Sequence, residues 1–240
     1  MLLKTRGIVF RAIKYSETSL IVDIYTEARG LRKYIVSGVR KAKSSVSAGL
    51  FQVMSLVEIV AYEREGKDLN RLKEIRPAYI FTGIPFDLRK GAVGLFMAEV
   101  ARKTIRESEE NPSLFDFFFR SFQHLDQTDQ PVVNLHLHFM LELSTFLGFT
   151  PGGDHTEETP YFDLQEGVFV GETGSHPYFL EESLAVYLYQ LLESSMESSH
   201  GVKIGREERR KLLLNLLDYY RLHLEGFPEI NAHLILQEVF

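Results

Sequence analysis

The sequence predicts an α+β multidomain protein in which a small β-barrel precedes a bundle of α-helices. In residues 1–80, β-branched and aromatic residues alternate with polar ones between Gly-containing turns, which is typical of short strands. After Pro85, apolar residues recur at helical spacing instead. A chain of 240 residues with a hydrophobic fraction of 45% can build a packed core in each part. We therefore expect one domain over residues 1–80 and a second over residues 81–240.

Five segments of the first part have the pattern of strands. The alternation is clearest in Leu20–Tyr25, where Leu20, Val22 and Ile24 fall on one face. The five predicted strands cover residues 5–14, 20–25, 31–37, 53–62 and 69–75. Five strands with tight turns in so short a stretch predict a five-stranded barrel like the OB-fold, and an SH3-like barrel fits the pattern nearly as well.

The second part has helical periodicity with one interruption. The predicted helices follow Pro85, Asn111 and Pro131, and then cover about residues 180–197, 207–224 and a short last stretch to Phe240. About residues 148–179 break this pattern with a Gly- and Pro-containing insert. Within the insert, Tyr161–Asp163 and Val168–Val170 predict a short hairpin.

Charge divides the chain into two parts of opposite sign. The net charge is −6, but residues 1–80 hold 15 Lys or Arg against 8 Asp or Glu, which gives +7 and leaves −13 for the remainder. This asymmetry favours a basic binding module on an acidic body.

The composition also excludes several classes of protein. The chain lacks cysteine, which excludes disulfides and cysteine-based zinc sites and fits a reducing cytosol. Charges within the first apolar stretch argue against a signal peptide, and no run of about 18 uncharged apolar residues suggests a membrane span. The nucleophile-elbow, P-loop and dinucleotide-binding motifs do not occur, so those enzyme classes have no support.

The basic charge is concentrated between Arg29 and Lys43. Its six cations are Arg29, Arg32, Lys33, Arg40, Lys41 and Lys43. Tyr34 lies among them on the third predicted strand. Such a strand and loop suit single-stranded nucleic acid, because cations meet phosphates and bases stack on exposed rings. A solvated basic edge strand, which prevents pairing with other sheets, explains the same residues equally well.

Two histidines of the third predicted helix raise the question of a metal site. His138 and Glu142 share a helix face, but His136 points to another side, and the Glu-x-x-His spacing is absent. We therefore expect these histidines, and the nearby His155, to be core or surface residues, and we predict no metal and no cofactor. The phenylalanine run Phe115–Phe122 predicts core packing, and an exposed part of it could still form a groove for a partner's apolar tail.

Several short motifs follow one another along the chain. In the N-terminal part they are Gly7, the Tyr15/Glu17 pair, Thr26, Gly30 and the G-x-R-K-x-K-S-S segment from Gly38 to Ser45. Later they are L-G-F-x-P at Leu147–Pro151, Tyr161–Asp163, and Tyr219-Tyr220-x-x-His223-Leu224. In order and spacing, these motifs resemble the bacterial RecO family of recombination mediators over nearly the whole chain.

This resemblance implies an N-terminal OB-fold joined to a helical domain in a non-enzymatic, cytoplasmic protein of DNA repair. Such proteins bind single- and double-stranded DNA, anneal complementary strands and, with RecR, load RecA onto DNA coated by single-strand-binding protein. Many members carry a four-cysteine zinc module in the region that matches Gly152–Tyr178. This sequence has no cysteine there, so its hairpin must hold by packing alone.

The resemblance also implies a groove in the helical domain for the acidic, apolar-ended tail of single-strand-binding protein. The candidate cations are Arg102, Lys103, Arg106 and Arg120. Cations that only stabilise helix ends explain these residues as well. Two rival functions stay open. One is an OB-like scaffold that binds RNA or protein without annealing, and the other is a hydrolase that uses the neighbourhood of His136 and His138.

Overall fold

The computed structural model describes residues 1–37, 39, 48–63, 66, 68–105 and 109–240. The chain forms two compact units and enters each of them twice. One unit consists of Met1–Pro85 and Ile105–Asp126, and the other of Phe86–Thr104 and Gln127–Phe240. Within these described ranges, no helix is both long enough and apolar enough to cross a membrane.

Five strands of the first unit close into a barrel in the order β1-β2-β3-β5-β4. They are β1 Leu2–Lys14, β2 Leu20–Thr26, β3 Gly30–Val36, β4 Leu56–Tyr62 and β5 Leu69–Pro77. The strand pairs are antiparallel except for β3 with β5, which run parallel. The five-stranded, OB-like barrel that the sequence predicts is therefore confirmed.

Alternate side chains of these strands fill the barrel interior. Val9, Val22, Tyr34 and Ile59 are among the buried residues that pack there. Strand β4 starts three residues later than predicted because Met54 has a φ of 75°, a left-handed conformation that interrupts an extended strand.

The helices in the described part of the chain belong to both units. They are α1 Leu88–Thr104, α2 Pro112–Gln127, α3 Leu135–Phe146, α4 Glu182–Leu192, α5 Arg206–His223 and α6 Ala232–Val239. Helix α4 is shorter than predicted. The Ser194 hydroxyl donates to the Leu191 carbonyl at 2.8 Å, and such side-chain bonds compete with continuation of a helix.

Helix α2 packs against the outside of the barrel. The Phe10 and Tyr25 rings stack with centroids 5.9 Å apart, and Phe118 meets both edge-on at 6.0 and 5.6 Å. Phe115 adds a further stacked contact to Tyr25 at 6.1 Å. The prediction that the phenylalanine run is core is therefore confirmed, and its partner is the barrel.

Polar contacts fix both ends of α2 in the same unit. Near its start, the Arg6 guanidinium donates to the Glu27 carboxylate at 2.7 and 2.9 Å and to Asp116 at 3.2 Å. At its end, the Asp126 carboxylate accepts backbone N–H groups of Thr82, Gly83 and Ile84 at 2.7–3.1 Å.

The second unit is helical, with a small sheet in the insert. Helix α3 is buried on nearly every side, as its sequence predicts. The sheet has the order β7-β6-β8, formed by β6 Tyr161–Asp163, β7 Val168–Val170 and β8 Phe179–Leu180. The predicted hairpin is confirmed, and a third short strand joins it. Tyr219 of α5 donates to the Phe149 carbonyl at 2.6 Å and packs on Phe162, which ties the insert region to the helices.

Candidate nucleic-acid interface

Tyr34 does not lie on the surface. Its side chain is 0% exposed and packs in the barrel core, so the prediction that it offers a stacking surface is wrong. The alternation of β3 assigned Tyr34 correctly to the face of Val36, but that face is the inside of the barrel.

The Tyr34 hydroxyl instead belongs to a polar cluster with Glu63 and Arg29. It donates to Glu63 Oε1 at 2.9 Å, and Arg29 Nε lies 3.7 Å from Glu63 Oε2. Burial, followed by the negative charge of Glu63, raises the pKa of Tyr34 far above its usual range. Arg29 is therefore partly neutralised by Glu63 and less available to a phosphate than the sequence suggests.

The next two predicted cations lie on opposite faces of β3. Arg32 pairs with the buried Ile24 and shares the inward face with Tyr34, whereas Lys33 pairs with Asp23 on the outward face and is exposed. A single ligand on the outer surface therefore meets Lys33 and not Arg32. Arg40, Lys41 and Lys43, which the sequence also predicts to bind, lie outside the described residues.

Strand register brings Lys33 together with cations that sequence reasoning missed. Arg11 pairs with Asp23, and Asp23 pairs with Lys33, so all three side chains form one row on the outer face of β1, β2 and β3. Arg71 of β5 pairs with Ile35 through the parallel ladder and belongs to the neighbouring row. We name Arg11, Lys33 and Arg71 the outer basic face. These three side chains are exposed and have no ion-pair partner among the described residues.

Apolar and aromatic side chains lie beside the outer basic face. Ile13, Ile21 and Ile35 are directly paired across three strands, and Ile13 is 39% exposed. Tyr15 follows at the end of β1 and is 61% exposed, in the loop that leads to β2. The strand faces and the first loop of an OB-fold are where oligonucleotides bind in this class of barrel. Alternation alone indicates which residues face outward, but the β3–β5 pairing that adds Arg71 is not visible in the sequence.

The predicted partner-binding cations are divided between the two units. Lys103 pairs with Glu99 at 2.6 Å and donates to the Glu229 carbonyl within its own unit, which leaves it less available to a partner than the sequence suggests. Arg102 lies on the same helix, whereas Arg120 is exposed on α2 of the barrel unit. Arg106 lies outside the described residues.

The two histidines of α3 are buried, and burial favours their neutral, unprotonated form. Burial, with a smaller contribution from Arg209, lowers the pKa of His136 to about 3, and burial also lowers that of His138. His138 Nε2 donates to the Ser194 carbonyl at 3.0 Å, whereas His136 Nδ1 has no hydrogen-bond partner among the described residues. In the part of the chain that the structure describes, no three His, Asp or Glu side chains come together to hold a metal ion.

His136 lines a cavity of about 160 Å³ in the second unit, which we name the arginine cavity. Its walls are His136, Arg206, Glu207, Arg209, Arg210, Leu213, Leu236, Gln237 and Phe240. Three guanidinium groups therefore surround an apolar slot. This basic cluster lies at the N-terminus of α5, where the helix dipole also favours an anion. The sequence analysis missed this basic cluster because residues 81–240 carry a net negative charge.

Arg209 is held in the arginine cavity by neutral partners only. Its Nε donates to Asn134 Oδ1 at 3.0 Å and its Nη2 to the Ile204 carbonyl at 2.7 Å. Burial lowers the pKa of Arg209, which reflects a charge withdrawn from water. A half-buried guanidinium without a carboxylate partner among the described residues, beside an unpaired histidine nitrogen, is a suitable receptor for an anionic group.

The barrel with its outer basic face defines a class, the OB-fold proteins, here with a helical second unit that has its own cationic cavity. Comparison with protein families narrows this class. Residues 1–81 match the family model "Recombination protein O N terminal", and residues 85–229 match "Recombination protein O C terminal". The chain belongs to the RecO family of DNA repair proteins.

Relatives over the full length agree with this assignment. The chain is 37% identical over 240 residues to a DNA repair protein RecO of Phocaeicola vulgatus, and the match covers 100% of both chains. It is 35% identical over 242 residues to that of Flavobacterium johnsoniae and 28% identical over 248 residues to that of Porphyromonas gingivalis, again over 100% of both chains.

Proposed function

We propose that this protein is a non-enzymatic recombination mediator of the bacterial cytoplasm that binds single- and double-stranded DNA and anneals complementary strands. The observation that carries the proposal is the outer basic face, Arg11, Lys33 and Arg71, on a side of the barrel where those cations have no ion-pair partner among the described residues. Membership of the RecO family supports it.

The chemistry of the outer basic face suits annealing. Cations that contact phosphates act on every sequence alike and leave base edges free to pair. Neutralising phosphates also lowers the repulsion between two strands that approach each other. Tyr15 takes the role first assigned to Tyr34, since an exposed ring can stack on a base for about 1–3 kcal/mol.

A charge-reversal experiment tests this surface. We expect the triple variant Arg11→Glu, Lys33→Glu, Arg71→Glu to lose binding to a fluorescent oligonucleotide in anisotropy titrations and to lose strand annealing. The matched control reverses Lys4, Lys73 and Arg76, which line a different groove of the barrel beside Glu58 and Glu74. Equal effects of the two triple variants would reject the outer basic face.

We also propose that Arg40, Lys41 and Lys43 contact DNA. The proposal is motivated by the sequence, in which these three residues belong to the group of six cations between Arg29 and Lys43. Reversing these three charges to Glu should abolish DNA binding and leave the circular dichroism spectrum unchanged. A triple variant that binds as the wild type does would remove the segment from the interface.

We further propose that the second unit acts through protein partners. With RecR, the protein would load RecA onto DNA coated by single-strand-binding protein, whose acidic, apolar-ended tail would enter the arginine cavity. That cavity offers cations next to the apolar side chains of Leu213 and Leu236.

Peptide titration tests the partner site. We expect a fluorescent peptide of several aspartates followed by phenylalanine to bind, and Arg210→Ala to weaken it about tenfold, the factor for about 1.4 kcal/mol. Arg221→Ala is the control, because Arg221 lies on the same helix but pairs with Asp218 at 2.6 Å. Equal loss in both variants would indicate non-specific attraction. RecA assembly on coated DNA, with and without RecR, tests the loading step.

A further inference from the structure

Helix α6 supplies one wall of the arginine cavity from the chain itself. We propose that Phe240, at the end of α6, is an internal lid that occupies the apolar end of this cavity and moves out before an acidic, apolar-ended peptide enters. The inference rests on the partner site proposed above and adds its regulation. It makes the chain its own competitor for that site.

The size of the cavity is the first argument. Its volume is about 160 Å³, whereas pockets that enclose a ligand usually measure about 300–1,000 Å³. Movement of one wall would bring the cavity closer to this range. The His136 and Leu213 walls are buried in the unit at 2% exposure each, but Phe240 is partly exposed. Among the apolar walls Leu213, Leu236 and Phe240, Phe240 is the one with room to leave.

The attachment of α6 is the second argument, because its two ends are held differently. At the N-terminal end, the Glu99 carboxylate accepts the backbone N–H groups of Asn231 at 3.0 Å and Ala232 at 2.6 Å. At the other end, the Arg206 guanidinium donates to the Gln237 carbonyl at 3.1 Å. The first end is anchored to α1, whereas the second is held in part by an arginine of the cavity itself.

This arrangement couples the anion to the lid. A carboxylate that pairs with Arg206 competes with the Gln237 carbonyl for the same guanidinium. It has the advantage over the carbonyl, because a carboxylate carries the opposite charge and can accept two parallel N–H bonds from one guanidinium. The incoming acid therefore weakens the contact that holds the end of α6. The Phe240 ring, which stacks on the His136 ring with centroids 6.4 Å apart and 15° between planes, is then free to depart.

The sequence of the lid matches the chemistry of the proposed ligand. Residues Glu238, Val239 and Phe240 place an acidic residue just before apolar ones. An external acidic peptide that ends in phenylalanine would present the same two kinds of group to the arginines and the apolar slot. The two segments therefore exclude each other at one site.

Titration of the full chain with the aspartate–phenylalanine peptide tests the lid. We expect Phe240→Ala to bind the peptide about tenfold more tightly than the wild type, since the variant no longer has to vacate the slot. The matched control is Leu234→Ala, which removes an apolar side chain that is 55% exposed elsewhere on α6. Unchanged binding in the control and tighter binding in Phe240→Ala support the lid.

A spectroscopic reporter provides a second measurement. The chain has no tryptophan, so Phe240→Trp introduces a single indole at the lid, which can be excited at wavelengths where the 11 tyrosines do not absorb. We expect its emission to shift to longer wavelength when the peptide is added, because the indole moves from the cavity into water. A spectrum that stays constant while the peptide binds would overturn the lid.

The outcomes separate the lid from the site on which it rests. If the wild type and Phe240→Ala bind equally, and Arg210→Ala still weakens binding, the lid is wrong and the cavity remains the partner site. If Phe240→Ala binds more weakly, Phe240 is part of the receptor and the lid is also wrong. If no variant binds the peptide, both proposals fail.

Discussion

Tyr34 and Tyr15 have separate physical roles at the scale of single residues. Tyr34 contributes a buried hydroxyl that donates to Glu63 at 2.9 Å. Tyr15 contributes an exposed ring beside the outer basic face. The roles are separable because one side chain is fully enclosed and the other is mostly in water.

Substitution of these tyrosines should therefore separate stability from binding. Tyr34→Phe removes a hydrogen bond to a charged group, and we expect a loss of about 2 kcal/mol in the free energy of unfolding with DNA affinity unchanged. Tyr15→Ala should weaken single-strand binding by about 1–3 kcal/mol with stability unchanged. Urea denaturation and anisotropy titrations measure the two quantities. A loss of DNA affinity in Tyr34→Phe would restore the discarded assignment.

His136 predicts a dependence of stability on pH. Burial lowers its pKa to about 3 in the folded chain, against 6.5 for an ordinary histidine, so the unfolded chain binds the proton first. Stability from this group is complete above pH 6.5 and is lost as pH falls toward 3. At pH 5 the loss is about 2 kcal/mol relative to pH 7.5.

Replacement of His136 should remove its contribution to the pH dependence of stability. We expect His136→Leu to lose less stability than the wild type between pH 7.5 and pH 5 in denaturation experiments at several pH values. His200→Leu, which changes a partly exposed histidine, serves as the control. An identical pH profile for the wild type and His136→Leu would show that other groups govern the acid response.

At the scale of elements, the seating of α2 depends on one carboxylate at its C-terminal end. Burial opposes ionisation of Asp126, but backbone N–H groups of Thr82, Ile84 and Gly83 outweigh it and lower the pKa of this carboxyl. The Tyr79 hydroxyl donates to the same group at 2.9 Å. Asp126 therefore binds the stretch that follows β5 to the helix.

Neutral substitution at this position should be costly. Asp126→Asn replaces one acceptor oxygen by an NH₂ group that faces other donors, and we expect the free energy of unfolding to fall by about 2–4 kcal/mol. Asp129→Asn, at an exposed position just beyond the helix, is the control. Thermal or urea unfolding measures both. Comparable stability in the two variants would mean that the donors find other partners.

Helix α2 also marks the limit of what the sequence reveals about elements. Its phenylalanines predict that one face is buried, and the structure confirms this. The sequence does not show which surface that face covers. Phe10 and Tyr25 look like ordinary outward strand residues until the helix is placed on them. Contacts between segments about 100 residues apart follow from tertiary packing rather than from local periodicity.

The candidate site, too, was only partly predictable from the sequence. Lys33 is exposed as expected, whereas Arg32 and Tyr34 turn inward, because both faces of β3 mix apolar and polar residues and alternation does not indicate which face is inside. Arg11 and Arg71 required knowledge of strand pairing. The arginine cavity required α3, α5 and α6 to be assembled, since its walls lie far apart in the sequence.

At the scale of the whole molecule, the opposite charges of the two parts of the sequence predict how DNA binding responds to salt. The basic segment of residues 1–80 carries +7 and the remainder −13, so attraction to phosphates is local. Each phosphate neutralised on a single strand contributes about −0.7 to the slope of log affinity against log salt.

We therefore expect binding of a single-stranded oligonucleotide to weaken steadily with salt, and each single reversal at Arg11, Lys33 or Arg71 to reduce the magnitude of the slope by about 0.7. Anisotropy titrations from low to physiological salt measure it. Lys73→Glu should leave the slope unchanged, because Lys73 already pairs with Glu74 at 3.2 Å. A slope independent of Lys33 would contradict a phosphate contact there.

Gly30 begins β3 in a left-handed conformation, with φ at 61°, and the space for a Cβ atom there is filled by the main chain of Glu109. A side chain at position 30 would thus collide with a stretch of backbone that lies almost eighty positions later and leads into α2. A genetic screen for suppressors of Gly30→Ala should accordingly return changes in the connection before Pro112 rather than in the adjoining turn. Because of the tight fit at one glycine, we expect two distant stretches of the gene to change together.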